Sequence, residues 1–134
     1  MRILPAVLLT FASILPAAAA PADRAAEELD IREATFRYQF SHNASGLKER
    51  AGAYYLSIAD KSGRVDDPPG KLLKRFVGNS PPVKKASESL ASPDQGVVDK
   101  KTGERGLVFR IGAIRWISDT EVEVSGGCYE TGSS

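Results

Sequence analysis

The first twenty residues limit most strongly what this chain can fold into. Arg2 precedes an apolar stretch, Ile3 to Leu15 (ILPAVLLTFASIL), followed by Pro16 and four alanines, Ala17 to Ala20. A minimal charged lead, an apolar core too short to span a bilayer, a helix-breaking proline and small residues at a cleavage point together read as a secretory signal peptide. No cysteine follows the alanines, so a lipid-anchored variant is not supported. On this reading residues 1–20 are removed and about 114 residues remain, enough for one small domain. The expected location is secreted or periplasmic, with no stable membrane anchor after signal cleavage.

Charge narrows the partners. The chain carries 18 Lys and Arg against 17 Asp and Glu. Arg2 leaves with the leader, so the remainder is balanced. A balanced chain has no electrostatic reason to seek nucleic acid or an anionic membrane. Cys128 is the sole cysteine, which excludes an internal disulfide and reads as a half-buried strand residue. One histidine, one distant cysteine and scattered carboxylates show no metal-ligand spacing. There is no G-x-S-x-G elbow, and Gly126-Gly127 lacks the lysine and helix of a phosphate loop. No metal and no cofactor is expected. Asn43-Ala44-Ser45 fits a glycosylation acceptor, which matters only in a eukaryotic secretory path.

The element order is α-β-α-β-β-β. Residues 21–26 read as a short linker, and 27–134 as a single α+β domain. A helix is expected from near Asp23 or Ala25 to about Phe40, with Glu27, Glu28 and Asp30 favourable in its early turns. Phe36, Tyr38 and Phe40 also alternate as in a strand, but strong helix formers precede them. Leu29, Phe36 and Phe40 share one helical face, while Ile31, Ala34 and Tyr38 lie nearly opposite, as in a helix wrapped on two sides. Gly46 is available as a left-handed stop.

Further on, Ala51 to Ala59 alternates as a strand. Asp67-Pro68-Pro69 reads as a helix start with Asp67 as cap, leading to a buried stripe of Leu72, Leu73 and Phe76 closed by Gly78. Val83 to Ser89 is a polar strand, and Lys100 to Gly103 a hairpin turn. Gly106 to Ile117 is the longest strand signal, with a change of phase that predicts a bulge near Gly112. Glu121 to Tyr129 follows, with Val122 and Val124 inward. Late grouping of strands argues α+β: an N-terminal helix packed on a curved antiparallel sheet, cone-like.

Several segments carry a resemblance. Ile31 to Phe40 (IREATFRYQF) with His42-Asn43, Leu73 to Phe76, Pro81 to Lys85, Val97 to Gly103 and Trp116 to Gly127 (WISDTEVEVSGG) together resemble a family of uncharacterised secreted bacterial proteins. That family has no assigned activity, so it implies no catalytic residue. Its members continue past the Gly126-Gly127 strand with a further hairpin. The resemblance therefore implies a C-terminally shortened domain whose last strand lies at an open edge, prone to dimerisation or aggregation. The element order is also similar to the nuclear transport factor 2-like α+β cone, which hosts polyketide-cyclase-like enzymes and non-enzymatic binding domains. Likeness of fold assigns no function.

Two functional readings follow. The first is a non-catalytic domain binding a small molecule or a protein through its sheet face or cavity. Its candidate ligand-binding residues are Tyr38, Tyr55, Arg110 and Trp116, with Arg37 and Gln39 as further polar groups. The second is a small acid–base isomerase or cyclase using His42, the sole histidine. Opposing it, His42 sits where a helix ends and would cap the last carbonyls favourably. A His42 buried in a polar cavity, within about 3 Å of a carboxylate, would favour the enzyme; an exposed one away from any concavity removes it. Lys84-Lys85 and Lys100-Lys101 are the densest basic pairs, read as solvated edge lysines or, if brought together, an anion site.

Overall fold

The computed structural model describes residues 7–12, 21–43, 45–46 and 50–129. Its nine strands and two α-helices form one α+β arrangement in which a long helix lies across a mixed sheet. The strands are β1 (Val7–Ala12), β2 (Tyr54–Ala59), β3 (Val65–Asp66), β4 (Val83–Lys85), β5 (Ser89–Ser92), β6 (Gly96–Asp99), β7 (Leu107–Ile111), β8 (Arg115–Ser118) and β9 (Glu121–Tyr129). The helices are α1 (Pro21–His42) and α2 (Gly70–Leu73), the latter continued by a 3-10 turn, Lys74–Phe76. The main sheet runs β1-β9-β7-β2-β3, with β4 also on β2 and β8 also on β9.

The expected antiparallel sheet is corrected to a mixed one. β2 pairs in parallel with both β7 and β4, while β9 runs antiparallel to β1, β7 and β8. The long connection between β2 and β7 carries α2, β4 and the separate β5–β6 hairpin. A crossover of that length returns the chain to the end of the sheet where β2 began, which parallel pairing requires. The turn at 100–103 is real, with Gly103 at φ 74°. It folds the chain back on β6 as a short hairpin: Val98 bridges Arg105 antiparallel, the Asp99 N–H donates to the Glu104 carbonyl at 2.9 Å and the Gly106 N–H to the Val97 carbonyl at 3.0 Å.

α1 starts earlier than the sequence suggests, so the expected linker at 21–26 forms its first turns. Pro21 suits that position because the first helical N–H has no partner to lose. The helix buries one broad face. Leu29, Phe36 and Phe40 pack into the core as expected, and Ile31 joins them at 6% exposure, whereas Ala34 and Tyr38 face outward. The two-sided wrapping is thus corrected: Ile31, Thr35 and Gln39 extend the same face on the flank turned away from Phe76. Gly46 does not adopt the left-handed conformation. The Asn43 side chain stops the helix in its place, donating to the Gln39 and Phe40 carbonyls at 3.2 and 3.0 Å.

Strand alternation then divides the sheet cleanly. Tyr54 and Leu56 of β2, Leu107, Phe109 and Ile111 of β7, and Val122, Val124 and Cys128 of β9 face α1. Phe40 sits at their centre, its ring 4.8 Å from Tyr54, 5.0 Å from Phe109 and 5.5 Å from Phe76. Cys128 is fully buried there. The opposite face carries a smaller cluster of Ala53, Tyr55 and Val97, with Ala86 and Val108 against it. The expected bulge is present: the ladder breaks after Ile111, and Ile114 and Trp116 turn to the core side. Asp67 is not the cap of α2. Pro69 holds that position, and the Asp67 carboxylate accepts from the Ser87 N–H and hydroxyl.

Candidate functional site

The expected site residues fall in three separate places. His42 is exposed at the last turn of α1, its ring stacked on Tyr38 at 4.0 Å and 7°. Nδ1 lies 3.0 Å from the Tyr38 carbonyl and 2.8 Å from the Ser41 hydroxyl. A carbonyl can only accept, so the ring N–H donates to it and closes the helix end, the capping role weighed from the sequence. The structure brings Tyr38 and His42 together on an outward surface, in contact with one another, with the Ser41 hydroxyl and with the helix backbone. A general base in a polar cavity needs different surroundings.

Tyr55 and Arg110 lie on the sheet face away from α1, on the adjacent strands β2 and β7. Tyr55 is 1% exposed and therefore closed to a ligand. Its hydroxyl donates to Asp99 Oδ2 at 2.7 Å, and Lys84 Nζ donates to the same oxygen at 2.9 Å. Asp99 Oδ1 accepts the Lys101 and Thr102 N–H groups. The hydrogen bond from Lys84, then those from Tyr55 and the two backbone donors, hold the Asp99 carboxyl far below the usual carboxylate range. Burial, then the bond to Asp99, pushes the Tyr55 phenol well above its ordinary value. Of the two lysine pairs only the Lys84 side chain reaches buried Asp99, pairing with its carboxylate, while the Lys85, Lys100 and Lys101 side chains are exposed. The cluster is a turn anchor. Asp99 went unnamed in the sequence reading, although an Asp opening a K-K-T-G turn is the signal that finds it.

Arg110 Nε donates to Ser57 Oγ at 3.2 Å. Trp116, on the α1 side, donates from Nε1 to Glu28 Oε2 at 3.0 Å, and the Arg24 guanidinium stacks 3.8 Å above its ring. It is a clamp between α1 and β8.

Gln39 is only 2% exposed. Its Nε2 donates to the Arg110 and Gly127 carbonyls at 3.3 Å each, across the β7–β9 ladder. The close approach needs Gly126, since a Cβ there would lie 2.3 Å from Nε2. Gln39 Oε1 and Arg32 Nε are buried with no hydrogen-bond partner among the described residues.

The remaining feature is an edge. β9 pairs with β7 and β8 on one side and with β1 on the other, from Val7↔Gly126 to Ala12↔Glu121. The expected open edge is thereby corrected for the full chain: β1 covers it. That covering strand is the middle of the apolar segment read as the leader.

No family model, no curated protein and no solved structure matches this chain. Among the described residues no group of His, Cys, Asp and Glu could hold a metal ion, and no helix is long and apolar enough to cross a membrane.

Proposed function

We propose that the protein is an exported, non-catalytic binding domain that engages a partner protein along the β9 edge. The observation carrying this reading is that, on the side of β9 away from β7 and β8, Glu121–Gly126 meets only the leader segment among the described residues. Removal of residues 1–20 would leave the backbone donors and acceptors of Val122, Val124 and Gly126 without a ladder partner, a ready template for strand addition. The exposed, cap-like setting of His42 supports the binding reading over acid–base chemistry.

The test is expression of the full chain in a bacterium, followed by fractionation and intact-mass measurement. The expected species is periplasmic or secreted and lacks Met1 to Ala20. A cytosolic protein of full mass would overturn the export reading and, with it, the vacant edge.

A further inference from the structure

Resting on that export reading, we infer that the β9 edge accepts a bare extended peptide strand, antiparallel and basic on its outer side, and not a second copy of this chain. The backbone phase is fixed by one bond: the Gly112 N–H donates to the Ser125 carbonyl at 2.7 Å. Odd-numbered residues of β9 therefore direct their backbone groups towards β7 and β8. Val122, Val124 and Gly126 direct theirs to the opposite edge. Their partners in β1 are Phe11, Leu9 and Val7, which are the positions whose N–H groups bond β9 in an antiparallel ladder.

Charge decides against a second copy. A copy would present β9 itself, whose sequence Glu121–Tyr129 (EVEVSGGCY) carries two glutamates and no lysine or arginine, so it brings nothing to pair with Glu121, whereas a basic strand does.

The chemistry of the occupant follows from β9. Residues directly opposed in an antiparallel pair share a face. Positions opposite Val122 and Val124 enter the space under α1 and must be apolar, with unpartnered Gln39 Oε1 near the Gly126 end of the groove. Glu121 and Glu123 face the other way. Glu123 already holds Arg115 at 2.7 Å, which leaves Glu121 as the position that selects a Lys or Arg opposite it.

The experiment uses the processed protein recovered from export and a labelled synthetic peptide of residues 7–12 flanked by lysines, read by fluorescence anisotropy. N-methylation at the Leu9 and Phe11 positions should weaken binding about tenfold or more, as expected for lost backbone bonds. The same change at Leu8 and Thr10 should cost less than about threefold. Lysine in place of Ala12, opposite Glu121, should tighten binding about two- to threefold in wild type and weaken it in Glu121→Lys. Equal sensitivity of the two N-methyl phases, or no binding by processed protein, overturns the inference while export stands. A processed protein that is dimeric by light scattering and ignores the peptide overturns it in favour of self-pairing. Retention of residues 1–20 removes the reading beneath it.

Discussion

Tyr55, Asp99 and Lys84 show how a residue that looks available in the sequence is used up by the fold. A buried phenol needs an acceptor, and Tyr55 takes the carboxylate that also ties the 99–103 turn. Tyr55→Phe should cost about 1–2 kcal/mol at neutral pH by urea denaturation. The sign of the pH dependence follows from Asp99. Its folded pKa is lowered from 3.8, so its contribution is complete above that value and fades as pH falls below it. The cost of Tyr55→Phe should therefore hold level from neutral pH down to 3.8 and shrink only as pH falls further towards the folded value of Asp99; a cost that changes above that range would place the interaction elsewhere. Lys84, raised from 10.5 by the Asp99 bond, contributes fully below that pH and less as pH rises through its folded value.

Gly126 is the second residue-scale case. Gly126→Ala pushes a methyl into Gln39 Nε2 and lies 3.1 Å from the Arg110 carbonyl, with an expected loss of about 1–3 kcal/mol. Gln39→Ala in the same chain should recover part of that loss in a double-mutant cycle, since the two residues touch. Strict additivity would argue that Gln39 does not enforce the glycine.

Among elements, α1 organises the domain because it is held on both flanks. Arg75 Nη1 binds Asp30 and Glu33, and Arg37 donates to the Arg75 carbonyl at 2.9 Å, fixing the 3-10 turn after α2 to the helix. Burial raises the Glu33 carboxyl, but Arg37 and Arg75 outweigh it and hold the group below its ordinary value. On the other flank, Trp116 joins Glu28 and Arg24. Trp116 is the sole tryptophan, so its fluorescence reports the docking of α1 on β8. Trp116→Phe keeps most of the ring contact and loses the Glu28 bond, with an expected cost of about 1–2 kcal/mol. In the wild type, unfolding followed by tryptophan emission and by far-ultraviolet dichroism should coincide. An early tryptophan transition would mean that α1 undocks before the sheet melts.

At the scale of the whole molecule Val7–Ala12 and β9 are joined by strand pairing, and the proposed removal of residues 1–20 would part them. A precursor whose edge is covered by β1 should not take up an added peptide, whereas the processed form should gain apparent stability as the peptide saturates it. A thermal scan of both forms across a peptide titration checks this. A shift in the precursor equal to that in the processed form would show that the peptide binds somewhere other than β9.

Much of this architecture was readable in the residues. The α1 stripe of Leu29, Phe36 and Phe40, the alternation of Tyr54, Leu56 and Ile58, the phase change after Ile111 and the inward Val122 and Val124 all follow from period, a local property of the chain. Pairing partners were not readable. The parallel register of β2 with β7 depends on a connection of 47 residues, 60–106, finding its path, and no local period encodes that. Capping was also misassigned, because Asp67 and Gly46 have the right chemistry but Pro69 and Asn43 hold the positions.

By itself, then, the sequence determined the helix, the strand phases, the charge balance and the leader-like segment, since each rests on neighbours in the chain. Tertiary structure alone decided which strand lies beside which, that His42 ends up outside and Tyr55 inside, and that Glu121–Gly126 meets Val7–Ala12. Those outcomes depend on burial and backbone pairing between residues far apart in sequence, where the free energy belongs to the contact and to neither segment alone.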